Sequence, residues 1–332
     1  MDVGTVVDGR YEIRTLLGAG AMGAVYEAAH TGTGRRVAIK VINSGDVNKD
    51  QKLVGRFQRE AKAAGAIDTQ HITQVLDTGV DRESGLPFLV MELLRGEDLQ
   101  NLFRRLGAIQ PEFALRLVAQ ACIGLQKAHD AHVVHRDVKP ANLFLSERDD
   151  GDLVVKLLDF GIAKVKMDQA NETESAGLTK TGSMIGSPLY MSPEQALGSK
   201  SIDHRTDIWS LGVVLYQALT GRTPFQHIDA LGQLIISICH EAAPPVQHFS
   251  PWVPDEVVQI VERAMMRDAG ERYQSAAEML DAVRTLLPGG WSITPDMLVP
   301  MTAEARRSAI SLRPPPPLAI GQAPARTAVP TF

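Results

Sequence analysis

Residues 135–142 bring together three side chains that could act on one reacting group; they read His-Arg-Asp-Val-Lys-Pro-Ala-Asn. The carboxylate of Asp137 can accept a hydrogen bond from a hydroxyl group and orient it for attack. The ammonium of Lys139 can stabilise negative charge on a group in transfer. The amide oxygen of Asn142 can hold a magnesium ion. This combination is what phosphoryl transfer needs, because that reaction depends mainly on positioning and electrostatics.

A second oxygen ligand follows 17 residues after Asn142, in Asp159-Phe160-Gly161. Mg²⁺ prefers hard oxygen ligands and usually binds through one or two carboxylates and the phosphates of its substrate. Any one of these polar residues could instead be a capped turn or a surface charge. The ordered set predicts a metal site formed by Asn142 and Asp159.

A glycine pattern, G-x-G-x-x-G, is formed by Gly18, Gly20 and Gly23. Dinucleotide-binding folds use the same spacing, but there the glycines lead into a helix. Here they lead into the β-prone run 25–27, which excludes a dehydrogenase and predicts a hairpin that can donate backbone N–H groups to phosphates. A plain glycine-rich hairpin remains the alternative interpretation.

Lys40 ends the β-prone run 37–40 and can reach anionic phosphate oxygens. The ammonium of Lys40 needs an ion-pair partner that orients it toward the phosphates. Glu60, on the predicted next helix, is the expected partner. The alternative is that both residues are solvated surface charges.

The surrounding sequence indicates two structural regions. Residues 11–94 alternate β-prone runs with turn signals and one helical stretch, which predicts a small, mostly antiparallel sheet with one helix. Residues 95–287 show mainly helical periodicity. Residues 1–10 form an extension, and 288–332 are rich in proline, with the run Pro314–Pro317. This tail is expected to be disordered, although a proline run can also bind an aromatic groove on a partner protein.

Composition limits the function classes. The 332 residues carry a net charge of -5, which gives no electrostatic case for binding nucleic acid. The two cysteines lie in apolar helical patterns and are expected to be unpaired, as in a reducing compartment. We see no signal peptide and no apolar run of the roughly 18 residues that a membrane span needs, so we expect a cytoplasmic protein without a membrane partner.

The order of these motifs resembles that of the eukaryotic-like protein kinase superfamily, and within it the bacterial serine/threonine kinases. The resemblance covers about residues 11–287. It implies an α+β, bilobal protein kinase fold: a small β-rich N-lobe with one main helix at about 11–94, and a larger α-helical C-lobe at about 95–287. It also implies ATP, with Mg²⁺ or alternatively Mn²⁺, between the lobes.

The resemblance assigns roles to further positions. It implies that Met91 is the gatekeeper and that Glu92 and Leu94 are hinge residues. It implies that Asp98 binds the ribose. The residues that it implies enclose the adenine are Leu17, Val25, Ala38 and Phe144. It also implies that Asp207 is buried and anchors the catalytic loop, and that Glu194 pairs with Arg272.

Specificity and regulation are also implied. Lys139 and Ser187 stand where serine/threonine-specific members have a lysine and a threonine. Arg136 stands where the family binds a phosphate on the activation loop. Thr179 and Thr181 lie at the right distance to carry that phosphate, so we expect autophosphorylation of one or both.

Protein substrates and a transient homodimer for autophosphorylation in trans are further implications of the resemblance. A catalytically silent scaffold is a competing interpretation, but it would typically lack Lys40, Asp137, Asn142 or Asp159. A small-molecule kinase is another, but such enzymes usually lack the Ser-Pro-Glu segment at 192–194.

Overall fold

The computed structural model describes residues 1–20, 23–42, 61, 65–159, 188–302, 304 and 306. Four predicted functional residues lie outside these ranges: Glu60, Thr179, Thr181 and Ser187.

The N-terminal part is a six-stranded sheet in which every neighbouring pair is antiparallel. The strands, in spatial order, are β1 (Val6–Val7), β2 (Tyr11–Gly20), β3 (Gly23–His30), β4 (Arg36–Ile42), β6 (Pro87–Glu92) and β5 (Val75–Val80). In central strand β4 side chains alternate between faces, so Ala38 and Lys40 share one face while Ile39 and Val41 share the other. Ile39 and Val41 pack in the core of this lobe.

The C-terminal part is mainly helical. Its helices are α1 (Leu99–Leu106), α2 (Pro111–Asp130), α3 (Pro193–Ala196), α4 (Arg205–Thr220), α5 (Leu231–His240), α6 (Val246–Phe249), α7 (Asp255–Ala264) and α8 (Ala276–Thr285). The sequence predicts a buried helix from Ile208 to Leu219, because that segment is apolar on nearly all sides. The structure places this segment in α4, and its buried residues belong to the hydrophobic core of the helical lobe.

A three-stranded antiparallel sheet lies beside these helices. It consists of β7 (Gly96–Asp98), β8 (Leu143–Glu147) and β9 (Leu153–Leu157), in that order. Leu143 pairs with Leu157, so the start of β8 and the end of β9 lie side by side. The residues that flank this pair, Asn142 and Asp159, are therefore brought to the same end of the hairpin.

Backbone hydrogen bonds connect the segment 71–73 to β9. The N–H of Thr73 donates to the carbonyl of Leu157 (3.0 Å), and the N–H of Leu157 donates to the carbonyl of His71 (2.9 Å). His71 is buried and its Nδ1 lies 3.1 Å from the carbonyl oxygen of Val155. Burial lowers the pKa of His71, which favours the neutral ring in this contact.

Residues 288–302 were expected to belong to a disordered tail, but the structure shows them packed on the helical lobe. Ile293 is fully buried and forms a bridge with Leu153 of β9. Arg116 and Gln120 of α2 donate to the backbone carbonyls of Ser292 and Trp291, at 2.6 and 2.9 Å. The composition is proline-rich only on average: its few large apolar residues are enough to fix this part of the segment on the helical lobe.

Two observations bear on the environment of the chain. Cys122 and Cys239 are both free thiols, and burial raises the pKa of Cys122. Across the described residues, every helix is too short or too polar to cross a bilayer.

Candidate active site between the two lobes

The segment 135–142 forms a compact polar cluster. The ammonium of Lys139 lies 2.7 and 2.9 Å from the two carboxylate oxygens of Asp137. The Nδ2 of Asn142 donates to the same carboxylate (2.9 Å) and to the backbone carbonyl of Asp137 (2.8 Å). Asp137 is thus held by two neighbours while about a quarter of its side chain remains exposed. A carboxylate held in this way can accept the proton of an incoming hydroxyl group.

His135 ties this cluster to the segment that precedes Asp159. Its fully buried ring lies with Nε2 2.8 Å from the carbonyl oxygen of Leu158, and its Nδ1 accepts from the N–H of Asp137 at 3.3 Å. The N–H of Leu158 donates in turn to the carbonyl of Asn142 (2.9 Å). The catalytic segment and Asp159 are therefore parts of one hydrogen-bonded unit.

Lys40 reaches this unit from the N-terminal sheet. Its Nζ lies 2.7 Å from Oδ1 of Asp159, and only 9% of its side chain is exposed. The sequence predicted a pair with Glu60, which lies outside the described residues; the pair with Asp159 was not predicted. The contact joins residues 119 positions apart, so no local pattern could have revealed it.

The glycine pattern lies on the hairpin formed by β2 and β3, as expected, with Gly18 opposite Val25 and Gly20 opposite Gly23. Gly23 has φ +143°, and a Cβ there would lie 2.0 Å from the carbonyl oxygen of Val41, so the backbone requires glycine. At Gly18 and Gly20 a Cβ would meet no described atom within 4 Å. Packing does not require those two glycines, and their lack of side chains keeps the hairpin surface open to a ligand.

Three residues assigned to the nucleotide site, the gatekeeper and two that enclose the adenine, share one apolar cluster. Ala38 and Met91 are buried in it and Val25 packs against it, on the face of the sheet that also presents Lys40. Phe144 lies in β8, opposite Asp98 of β7, and is partly exposed. Leu94 follows β6 and is partly buried, while Leu17 is half exposed on β2.

Glu92 and Asp98 have contacts that the sequence did not predict. The carboxylate of Glu92 accepts from the N–H of Gln74 (2.8 Å) and from the ammonium of Lys156 (2.7 Å), which links β6 to β9. Asp98 is the N-cap of α1: its Oδ1 accepts from the N–H of Asn101 and its Oδ2 from the Nδ2 of the same residue, both at 2.8 Å. Both acidic residues therefore stabilise the region that connects the lobes.

Asp207 holds the backbone just before Asp137. Its fully buried carboxylate accepts from the N–H groups of His135 (2.9 Å) and Arg136 (2.8 Å), and its Oδ2 also lies 2.8 Å from Nε2 of His129. Arg136 has φ 64°, a left-handed conformation that is costly for a residue with a side chain. Such strain persists only where the surroundings enforce it, and Asp207 supplies the enforcing contacts.

Two further residues that sequence reasoning missed complete this support. The Nε2 of Gln195 donates to the carbonyl of Arg136 (2.8 Å), so the strained residue is held on both sides. Ser192 caps α3 through its side chain and lies 2.6 Å from the hydroxyl of Thr206 on α4. The hydroxyl of Ser192 is thus buried and makes specific contacts. The capping-box spacing of Ser192 and Gln195 was the available signal.

Glu194 and Arg272 form a buried, bidentate ion pair with distances of 2.7 and 2.8 Å. The guanidinium also donates to three backbone carbonyls and lies over the ring of Trp209, 5.1 Å from its centroid. The side chain of Arg272 is fully buried. Burial alone would raise the pKa of Glu194, but the hydrogen bonds and charge of Arg272 hold that pKa below its ordinary value of 4.5.

The depressed pKa of Glu194 predicts an acid-dependent loss of stability. The pair contributes stability above the ordinary pKa of 4.5, and this contribution is lost as the pH falls through the lower, folded-state pKa. One proton accounts for a slope of at most about 1.4 kcal/mol per pH unit. We expect the free energy of unfolding to fall less steeply below about pH 4.5 in Glu194→Gln than in the wild type. Urea unfolding at a series of pH values measures both slopes, and parallel curves would contradict the prediction.

The side-chain oxygen atoms of Asn142 and Asp159 suit a hard cation. Because Asn142 is held through its amide nitrogen, its oxygen remains as the acceptor, and Asp159 adds a carboxylate. Among the described residues no group of three or more histidine, cysteine, aspartate or glutamate side chains could hold a metal by itself. A site with an amide and a carboxylate fits Mg²⁺, which completes its coordination with water and substrate phosphates.

Comparisons with known proteins agree with this geometry. The family model described as "Protein kinase domain" matches residues 11–283. A probable serine/threonine-protein kinase of Corynebacterium efficiens is 37% identical over 279 residues, which are 82% of this chain and 41% of that protein. The serine/threonine-protein kinase PknA of Mycobacterium tuberculosis is 36% identical over 290 residues, which are 86% of this chain and 63% of that protein. The chain thus spans about two fifths to three fifths of the length of these relatives.

Solved structures show the same architecture. The crystal structure of the Mycobacterium tuberculosis PknI kinase domain superposes with a TM-score of 0.64 at 26% sequence identity. The match covers 86% of this chain and 99% of that domain. A sheet-rich lobe and a helical lobe that meet at Lys40 and Asp159 are thus the bilobal α+β architecture of this family. The chain belongs to the protein kinase family.

Proposed function

We propose that this chain transfers the γ-phosphoryl group of ATP to serine or threonine hydroxyl groups of proteins. The observation that best supports the proposal is the cluster of Asp137, Lys139 and Asn142, which is joined through His135 to the Lys40–Asp159 pair. This cluster combines a proton acceptor, two ammonium groups and hard oxygen ligands. Relatives that are named serine/threonine-protein kinases add support for the acceptor class.

In this proposal each residue has one role. Asp137 orients the substrate hydroxyl group and accepts its proton, while Lys139 stabilises charge on the phosphoryl group. Lys40 positions the phosphates, and Asn142 and Asp159 hold Mg²⁺. The metal ion, when bound, neutralises charge on the phosphate oxygens. The open surface at Gly18 and Gly20 lets the backbone of the hairpin approach the phosphates.

The adenine is proposed to lie against the apolar cluster of Val25, Ala38 and Met91, with Phe144 on its other side. The backbone of Glu92 and Leu94 would meet its polar edge, and Asp98 the ribose. Leu17 would cover the ring from β2. This assignment is supported by the shared face of the sheet that presents both the apolar cluster and Lys40.

Transfer of ³²P from γ-labelled ATP to a generic protein substrate tests the proposal. Phosphoamino-acid analysis of the product then separates serine and threonine from tyrosine. A product that contains phosphotyrosine alone would refute the acceptor class. ATP binding without any transfer would favour the scaffold interpretation, and transfer only to small molecules would favour a small-molecule kinase.

Autophosphorylation at Thr179 or Thr181 is a further expected result. A phosphate there would pair with Arg136, whose backbone is held by Asp207 and Gln195. Incubation with ATP and Mg²⁺ followed by peptide mass spectrometry should find at least one of the two phosphorylated. The Asp137→Asn variant is the control and should remain unmodified. An active enzyme with both threonines unmodified would contradict this prediction.

Protein substrates, a transient homodimer that phosphorylates in trans, and a cytoplasmic location belong to the same proposal. The two free thiols are compatible with a reducing compartment. A mixture of a catalytically dead chain with an active chain tests transfer in trans, because phosphate on the dead chain requires transfer between molecules.

A further inference from the structure

A groove on the helical lobe, away from the proposed nucleotide site, has a volume of about 620 Å³. Its walls come from the start of α2, from the segment that leads into α7, and from the chain after α8. Trp252 and three prolines line it, together with the carboxylate-bearing residues Glu112 and Glu256; the prolines are Pro111, Pro254 and Pro288. We call this surface the Trp252 groove. Its mixture of an aromatic ring, apolar walls and carboxylates is typical of sites that bind proline-rich peptides.

The described chain ends at this groove. Met301 lines it, and the N–H of Arg306 donates to the carbonyl of Thr302 (3.1 Å), which closes a helical turn. The guanidinium of Arg306 lies over the ring of Trp252, 4.9 Å from its centroid. The residues that follow Arg306 therefore begin beside the groove.

The sequence after this point matches the chemistry of the groove. Residues 305–332 include four arginines and no aspartate or glutamate, and the run Pro314–Pro317 follows Arg313 directly. Proline runs form a polyproline II helix, whose backbone carbonyls make no internal hydrogen bonds. The indole N–H of Trp252 is buried and has no hydrogen-bond acceptor among the residues that the structure describes. A docked proline run would therefore contact Trp252 through the accessible part of its ring rather than through this N–H.

Charge and reach support the same occupant. Glu112 is paired with Arg116, so Glu256, which is exposed on α7, supplies the groove's second carboxylate. Arg313 lies seven positions after Arg306, a span of about 22 Å in polyproline II geometry. A spacer of that length lets Arg313 reach other residues that line the same groove.

We propose that the segment 312–318 of this same chain docks in the Trp252 groove, with its prolines against Trp252 and Arg313 facing Glu256. The tail then acts as an intramolecular ligand of the helical lobe. This proposal does not depend on the proposed catalytic activity.

Nuclear magnetic resonance of the isotope-labelled full chain tests the docking. The backbone amides of Leu312 and Leu318 should be shifted from their positions in an isolated peptide of residues 307–332. In Glu256→Lys these resonances should move to the peptide positions, because the carboxylate is replaced by a cation. Glu262→Lys is the matched control: it makes the same charge change at an exposed position of α7 outside the groove, and should resemble the wild type.

Trp252→Ala should also release the tail. If that variant does not fold, Glu256→Lys still tests the proposal, because it changes only an exposed residue. An excess of the isolated peptide should compete with the tail and release it as well. The proposal is overturned if the wild-type resonances coincide with those of the peptide, or if Glu256→Lys leaves the shifted resonances in place. It is also overturned if the shifts disappear on dilution, because the occupant would then be the tail of a second copy.

Discussion

Replacement of Asp137 by asparagine is expected to lower kcat for phosphoryl transfer by about 10²–10⁴-fold, the usual contribution of a positioned general base. The substitution keeps the size of the side chain but removes the proton acceptor. It also places an amide where Lys139 and Asn142 now donate to a carboxylate at 2.7–2.9 Å. A neutral amide cannot bind the ammonium of Lys139 as strongly, so that group loses its fixed position too.

The measurement should separate chemistry from binding. Asp137 is not among the groups proposed to hold the metal or the nucleotide, so the Kd for ATP should change little while kcat collapses. Asp150→Asn is the matched control, since Asp150 is an exposed aspartate paired with Arg148 in the turn between β8 and β9. It should retain wild-type kcat. Undiminished transfer by the Asp137→Asn variant would remove Asp137 from the mechanism.

Arg272→Ala is expected to destabilise the chain by about 3–5 kcal/mol, the range for breaking one partner of a buried ion pair. The change leaves the carboxylate of Glu194 in a largely buried position without its cation, and removes five hydrogen bonds in total. Urea unfolding followed by circular dichroism measures the loss. Activity should fall as well, because Glu194 is in α3, whose Gln195 supports Arg136.

An exposed arginine with the same two kinds of contact, an ion pair and an aromatic ring, provides the control. Arg263 is also ion-paired, to Glu278, and also lies over an aromatic ring, that of Tyr273, but nearly half of its side chain is exposed. Arg263→Ala should therefore cost less than about 1 kcal/mol. If both arginine variants lose the same stability, burial is not what makes the Arg272 pair important.

A double variant tests the physical reason for the large effect. When Arg272→Ala and Glu194→Ala are combined, no uncompensated charge remains buried, so the loss of stability should be smaller than the sum of the two single losses. Additive losses would mean that the two side chains act independently. That result would contradict the interpretation of their bidentate contact as a coupled ion pair.

Much of the fold followed from local patterns. Glycines that lead into a β-prone run predicted a hairpin rather than a helix, and β2 and β3 form one. The segment 208–219 predicted a buried helix because it has no polar face, and α4 is buried on nearly all sides. These predictions succeeded because hydrophobic periodicity and turn residues act over a few positions, where the chain itself sets the geometry.

The tail shows where composition misled. The proline-rich average of 288–332 predicted disorder throughout, yet Trp291 and Ile293 attach the first part to α2 and β9. Whether a segment packs depends on whether a complementary surface exists elsewhere in the chain. That surface is formed only once the lobe has folded.

The sequence by itself determined which chemical groups are present: the acid, the ammonium groups and the metal ligands of residues 40–159, and the order in which they occur. Only the tertiary structure decided how they meet, because Lys40 pairs with Asp159 across two lobes and Asp207 holds Arg136 from a helix about 70 residues away. Electrostatic and hydrogen-bond contacts act over a few ångströms in space, whatever the separation in sequence. Chain folding, rather than motif spacing, therefore brings the proposed catalytic groups into one site.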